Sequence, residues 1–278
     1  MSTKPVWAML ALLPVGRADE VRWEEQTRRA LALNWQGRWA EAAREFEAAR
    51  QLAYASFPRG DDRIGVTEAN LAESYHQLDR IEEAEIHFRR GLAILDRAGR
   101  EPDLDLASAL NNYAGLFTRT GRHSQAERYL RRSIAIRTRL LGERHPDVAL
   151  ALANLAGCYG SQRRHAESEA LLRDALAMQE QALGGDHPQI ASTLHDLSLA
   201  VFAQDRLQEA SPLLERALAI WEKTLGPQHI QYIIGQGGLA AIRCRQRRWR
   251  EARPLLERAT AYVRANLGEH HPLMGPLA

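Results

Sequence analysis

Ten histidines and two cysteines are the side chains of this 278-residue chain best suited to metal or acid–base chemistry. His145, His187, His229 and His271 recur every 42 residues, each three residues after a glycine (Gly142, Gly184, Gly226, Gly268) that itself follows a leucine. Neutral imidazole is the commonest metal ligand, but a metal needs several ligands within about 2 Å of one ion. Residues repeated at the same point of stacked helical units lie roughly 10 Å apart, the helix-packing distance. One ion therefore cannot join two of these histidines, and the recurrence assigns them to capping at a junction. His270 and His271, at the end of the series, are the pair able to pick up a metal adventitiously. Cys158 and Cys244 sit two repeats apart, roughly 20 Å on the same guide, beyond the ~7 Å that a disulfide tolerates. They are expected to be unpaired and buried as small hydrophobes, so cysteine usage assigns no compartment.

Other chemistry is missing from the pattern. There is no phosphate-binding G-x-x-x-x-G-K-[ST] loop, no G-x-G-x-x-G after a strand, no H-E-x-x-H and no C-x-x-C. The chain reads as non-enzymatic and without a cofactor. Of its 37 basic residues only Lys4 and Lys223 are lysine, and 35 acidic residues balance them to a net charge of +2. That arginine bias points to a GC-rich genome and leaves no global nucleic-acid footprint. One local cluster stands out, Arg243, Arg245, Arg247, Arg248, Arg250 and Arg253. Spread over several directions of a helix and turn, it reads as a solvated tip, with an acidic partner at that end as the alternative.

The elements that must carry these residues follow from the period. Ala42, Ala84, Ala126, Ser168, Ala210 and Ala252 form one column, and Arg38, Arg80, Arg122, Arg164, Arg206 and Arg248 another that marks a turn. Such registration means stacked copies of one unit, each burying its apolar face only against its neighbours. In the unit from Pro146 to Leu183, apolar residues keep helical spacing over 147–159 and again over 166–183, separated by a polar turn at 161–164 and closed by Gly184 as a C-terminal cap. Pro146 and Pro188 open helices, where a missing N–H costs nothing. Ala72, Ala114, Ala156, Ser198 and Ala240 place small residues at helix crossings. The expected fold is all-α, a right-handed α-solenoid of about six helical hairpins. The solenoid should cover 19–272, with repeats at about 23–64, 65–106, 107–148, 149–190, 191–232 and 233–272, and a short tail at 273–278.

The string Asn154-Leu155-Ala156 with Tyr159, then Arg164, Glu167, Leu172, Ala175 and Leu176, then Leu183-Gly184 with Asp186-His187-Pro188, resembles a tetratricopeptide repeat. The 42-residue spacing and the L-G-x-x-H-P junction are similar to the kinesin-light-chain type, which is also widespread in bacterial scaffolds. The resemblance runs from about Glu20 to Pro272. Three places depart from it: the junction Gly99-Arg100-Glu101-Pro102-Asp103, the triplet Arg28-Arg29-Ala30 in the first repeat, and Gly235, Gly237 and Gly238 crowding a helix of the sixth. Each helical glycine costs about 1 kcal/mol relative to alanine, so that helix is either weak or lies against something that needs bare backbone.

The resemblance implies that first helices form a concave wall. Asn70, Asn112 and Asn154 would then line it, continued by Asp196 and broken at Gly238, with Glu73, His76, Gln77, Asn111, Arg119 and His195 beside them. Amides donate and accept together, so such a ladder suits an extended peptide's backbone; tying neighbouring repeats together is the other role open to it. The leading expectation is an adaptor that holds a protein or peptide segment. An architectural subunit assembling through its ends, or a regulatory arm of a separate enzyme, are the alternatives. For the open end, Leu255, Leu256, Ala259, Tyr262 and Val263 form an apolar stripe expected to lack an internal partner and to support homodimerisation or docking.

The N-terminus differs in kind. Lys4, the apolar run Pro5–Val15 and the small residues of Gly16-Arg17-Ala18 follow the order of a secretory signal, and 11 apolar residues are too few to span a bilayer. A signal over 1–18 would make the protein secreted or periplasmic. A helix packed on the first repeat is the other reading and leaves it cytoplasmic. No membrane span is expected elsewhere.

Overall fold

The structure is a computed structural model that describes residues 15–97 and 101–266, with only the backbone described at 15–18 and 266. The first fourteen residues, Gly99-Arg100, Leu267-Gly268, His270, His271 and the 273–278 tail lie outside the described residues. Among the described residues there are twelve helices and no strand, an all-α repeat solenoid of six hairpins. No described helix is long and apolar enough to cross a membrane. The chain divides into two compact units, 1–140 and 141–278.

In the first unit, α1 (Val15–Trp35) pairs with α2 (Trp39–Ser56), α3 (Asp62–Gln77) with α4 (Ile81–Leu95), and α5 (Leu104–Arg119) with α6 (His123–Leu141). The second holds α7 (Pro146–Ser161) with α8 (His165–Leu183), α9 (Pro188–Phe202) with α10 (Leu207–Thr224), and α11 (Ile230–Arg245) with α12 (Trp249–Asn266). Within each unit a second helix also packs on the next first helix, and consecutive first helices touch.

The arginine column explains the turn inside each hairpin. Residues 37, 79, 121, 163, 205 and 247 all take left-handed φ, as Gly37 and Gly121 but also as Asp79, Arg163, Asp205 and Arg247. The next residue is the arginine, whose N–H donates to the carbonyl five residues back, from Leu33 in the first hairpin to Arg243 in the sixth. Except at Arg122, which reaches Glu85 of the preceding hairpin, its guanidinium then closes on a glutamate three residues on, as in Arg38 to Glu41, Arg164 to Glu167 and Arg248 to Glu251. Arg80, Arg122 and Arg164 also lie over Tyr75, Phe117 and Tyr159, 4.2, 4.4 and 3.8 Å from the ring centroids. The column is a staple of the turn, and exposure to solvent keeps the contribution of each pair small.

Junctions between hairpins use a second device. Gly142, Gly184 and Gly226 take positive φ, and His145, His187 and His229 then cap the following helix. Each Nδ1 accepts the N–H two residues on, at 3.1 Å from Asp147 and 3.2 Å from Gln189 and Gln231. An acceptor Nδ1 requires a neutral ring protonated on Nε2. In the first unit, where the L-G-x-x-H-P string is missing, Asp61 and Asp103 do the same work for α3 and α5 through the N–H groups of Arg63 and Leu106.

Crossings are closed by small residues as the columns predict. Every member of the Ala42 and Ala72 columns is 3% exposed or less. Ser198 Oγ satisfies itself on the Ala210 carbonyl across the crossing. Gly65 and Gly91 bring α3 and α4 into backbone contact: a Cβ on Gly91 would lie 2.8 Å from the Gly65 oxygen. The glycines of α11 have a comparable cause. A Cβ on Gly235 would sit 2.9 Å from Leu218 and 3.0 Å from the buried Trp221, and one on Gly238 3.2 Å from Leu214. Bare backbone on α11 therefore makes room for the bulk of α10.

Candidate functional site

The structure sorts the expected site residues by burial and by partner. In the first unit Asn70 and Asn112 are half-buried, and the Asn111 amide donates to Asn112 Oδ1 at 3.3 Å. Glu73 accepts from Gln77 at 2.7 Å and stands 3.7 Å from His76 Nδ1. His76 itself is buried, with both ring nitrogens lacking a hydrogen bond, and a Cβ on Gly115 of α5 would come within 3.5 Å of its ring. Arg119 is occupied elsewhere: its guanidinium donates to the His76 carbonyl and to Asp79, both at 2.7 Å, tying α5 to the preceding hairpin. Arg245 repeats that tie in the second unit, on Asp205 at 2.5 Å.

In the second unit Asn154 and Asp196 are exposed, and His195 Nδ1 lies 3.1 Å from Asp196 Oδ1. The column ends at Gly238 because Leu214 fills the space there. Between α7, α8 and α9 the surface opens into a cavity of about 290 Å³ lined by Gly157, Gly160, His165, Leu172, Asp196 and Leu199, among others.

The α12 stripe needs correction. Ala259 and Val263 are fully buried, and Leu255 and Tyr262 pack on the second unit's core, because that face of α12 turns to α11, its own hairpin partner. The opening lies on another face, where Cys244, Trp249, Arg250, Arg253 and Leu256 border a groove of about 640 Å³. Leu256 is half-exposed at a position whose equivalents Phe46, Phe88, Leu130, Leu172 and Leu214 are buried. Cys158 is buried as expected, whereas Cys244 is only half-buried and lines this groove.

The arginine cluster is likewise not one solvated tip. Arg243 is 7% exposed and donates to Ser211, Gln246 and Glu215. Arg245 and Arg248 hold Asp205 and Glu251; Arg247 occupies the left-handed turn position, and Arg250 and Arg253, the latter 3.6 Å from Glu257, border the groove.

Periodicity passed over one buried polar centre. Glu68 on α3 is fully buried and accepts from Tyr54 Oη of α2 at 2.8 Å and from His87 Nδ1 of α4 at 2.5 Å, with Arg50 at 3.7 Å. Burial alone raises its pKa, but the bonds from His87 and Tyr54 outweigh burial and hold it below the usual carboxylate range. The signal was present, since Leu110, Leu152 and Leu194 occupy the equivalent positions. Among the described residues no group of three or more His, Cys, Asp or Glu converges as a metal site.

A tetratricopeptide repeat family model matches residues 25–97, 105–181, 154–223 and 199–265. The chain belongs to the tetratricopeptide repeat family. No curated protein sequence matches it. Among solved structures, this tetratricopeptide repeat chain is similar to BtubC (BKLC) from P. vanneervenii, at 25% identity over 87% of this chain and 94% of that one, with a TM-score of 0.63. It is also similar to a Podosopora anserina putative kinesin light chain with nearly identical TPR-like repeats, at 26% identity over 76% of this chain and 99% of that one, TM-score 0.59. A Rap protein complexed with competence and sporulation factor shares the fold at 13% identity, over 89% of this chain and 77% of that one, TM-score 0.63. The kinesin-light-chain likeness is thus carried by structure as well as by the junction motif. Tetratricopeptide repeats are typically protein–protein interaction scaffolds, and the family is generally non-catalytic.

Proposed function

We propose that the chain is a non-enzymatic scaffold that holds an extended protein segment along the seam lips of its first helices. The observation that carries this reading is the amide column. Asn70, Asn112 and Asn154 recur at one position of α3, α5 and α7, where solvent reaches them, while Ala72, Ala114 and Ala156 two residues on are fully buried. A polar group that could have been apolar, kept at the same exposed point of successive hairpins, suits a main chain that repeats its own donors and acceptors. Replacing the three asparagines with alanine is expected to weaken capture of a partner purified from the protein's own cells by about 0.5–1.5 kcal/mol per lost hydrogen bond, while melting changes little. A large fall in melting temperature with binding intact would show that the amides join hairpins instead.

A second reading has its own observation. The groove at the end of α12, with Trp249 61% exposed and Leu256 half-buried, offers an apolar surface where inner hairpins receive the next first helix. Assembly through that end is the architectural alternative, and it uses Trp249 and Leu256 rather than the buried Ala259 and Val263.

A further inference from the structure

The cavity between α7, α8 and α9 is made by missing side chains. At the position of Gly160 the other hairpins carry Asn34, His76, Thr118, Phe202 and Cys244, and at the position of Gly157 the next hairpin carries Leu199. A Cβ on Gly157 would meet nothing within 4 Å, and one on Gly160 only Ser168 Oγ at 3.8 Å. Two helical glycines therefore stand where nothing presses on them, each at a cost of about 1 kcal/mol in helix propensity. What they leave is a hollow of about 290 Å³ backed by Leu172, Leu199 and Ala200. That volume falls just below the range of small-molecule pockets and suits one long side chain.

The same place carries the one acidic member of the amide column. Positions 70, 112 and 154 are asparagine, and position 196 is aspartate, at the edge of the hollow. His195 Nδ1, on the residue next to it in sequence, lies 3.1 Å from Asp196 Oδ1. Gly160 lies in the last turn of α7, which ends at Ser161, and Leu199 and Ala200 in the last turn of α9, which ends at Phe202. His165 and Ser168 lie in the first turn of α8, so helix ends of both polarities border the hollow and the side chains decide its charge. His165 and Asp196 are its only ionisable lining residues, with no arginine or lysine among them.

We propose that this hollow takes a lysine or arginine side chain of the bound segment, its methylene stem against Leu172 and Leu199 and its cation on Asp196. An apolar slot with one anion at its edge fits a side chain that buries a stem and keeps its charge at the surface. It repels a carboxylate, and an uncharged side chain leaves Asp196 unused. The proposal rests on the scaffold reading and adds the side-chain class that this seam selects.

The test uses the full chain and blocked pentapeptides, Ac-Ala-Ala-X-Ala-Ala-NH2 with X as lysine, arginine, norleucine or glutamate, titrated while backbone amide resonances are followed. The lysine and arginine peptides should give saturable shifts at Gly157, Gly160 and Asp196. They should bind up to about fivefold tighter than norleucine, the worth of one exposed ion pair, with glutamate weakest. Asp196→Asn, which restores the column's amide, should reduce lysine to the norleucine level. Gly157→Leu, which puts a large side chain at the hollow's wall, should abolish binding of the lysine and arginine peptides with the circular dichroism spectrum unchanged. Equal binding of lysine, norleucine and glutamate, indifference to Asp196→Asn, or no saturable shift at low millimolar peptide would overturn the proposal. Peptide binding elsewhere along α7 and α9 without regard to X would overturn it while leaving the scaffold reading standing. Failure of that reading would show instead as partner capture unaffected by the asparagine replacements.

Discussion

In residues 1–140 the first helices α3 and α5 start from aspartates, Asp61 and Asp103, whereas in residues 141–278 α7, α9 and α11 start from histidines. The geometry of the cap is nearly the same and its chemistry is not. A carboxylate accepts whenever it is ionised, and an imidazole Nδ1 accepts only while the ring is neutral. The glycines also divide. Gly65 and Gly91 in the first unit, like Gly235 in the second, are pressed by what faces them, while Gly157 in the second faces open space. One 42-residue frame therefore carries different chemistry in its two units, and the departures from the period, more than the period itself, mark where specificity can reside.

The first expected effect separates the caps by pH. Burial pushes the pKa of His229 below its ordinary value, so its contribution is present above the unfolded value of about 6.5 and is lost as pH falls through the folded one. The pKa of Asp61 is also held down, chiefly by the Arg63 guanidinium, so that cap persists until pH falls below the carboxylate range of about 3.9. Between pH 7.5 and 5 the His229 cap should weaken while the Asp61 cap holds, a difference of about 1 kcal/mol, the usual worth of one helix cap. Melting of the wild type should therefore drop over that interval. The variant His229→Asn, with an acceptor that does not titrate, should show a smaller drop. An equal drop in both proteins would place the acid sensitivity elsewhere.

Glycine substitutions sharpen the same contrast with effects of opposite sign. Gly91→Ala should destabilise by about 1–3 kcal/mol in urea unfolding because its methyl meets the Gly65 carbonyl. Gly157→Ala should stabilise by up to about 1 kcal/mol, because it recovers helix propensity and meets nothing. Matching signs would mean that the two seams are packed alike.

The hairpins, the turn arginines, the histidine junctions and the small crossing residues were legible in the sequence because each recurs in register, and recurrence reports a backbone requirement common to every unit. Properties that depend on which helix faces a residue were not. A second helix in this fold has two apolar faces, one toward its own first helix and one toward the next. Helical spacing on α12 could not tell Ala259 and Val263, which turn to α11, from Leu256, which does not. The same limit hid why α11 needs glycine, since the reason is the bulk of Trp221 and Leu218 on α10. Glu68 was overlooked because it interrupts an apolar column, and a search for recurrence passes over its exceptions. Asn70, Asn112, Asn154 and Asp196 were found as a column, but the hollow beside Asp196 appears only once Gly157 and Gly160 are seen to face nothing.

The central claim is that partners are held along the seam lips of the first helices. Hydrogen exchange of the full chain, free and bound to a partner purified from its own cells, measures this directly. The account predicts protection concentrated on α3, α5, α7 and α9 around the amide column, with α12 and the Trp249 groove unchanged. Protection confined to α11 and α12, with the first-helix faces exchanging as in the free protein, would contradict it and establish the end groove as the binding surface.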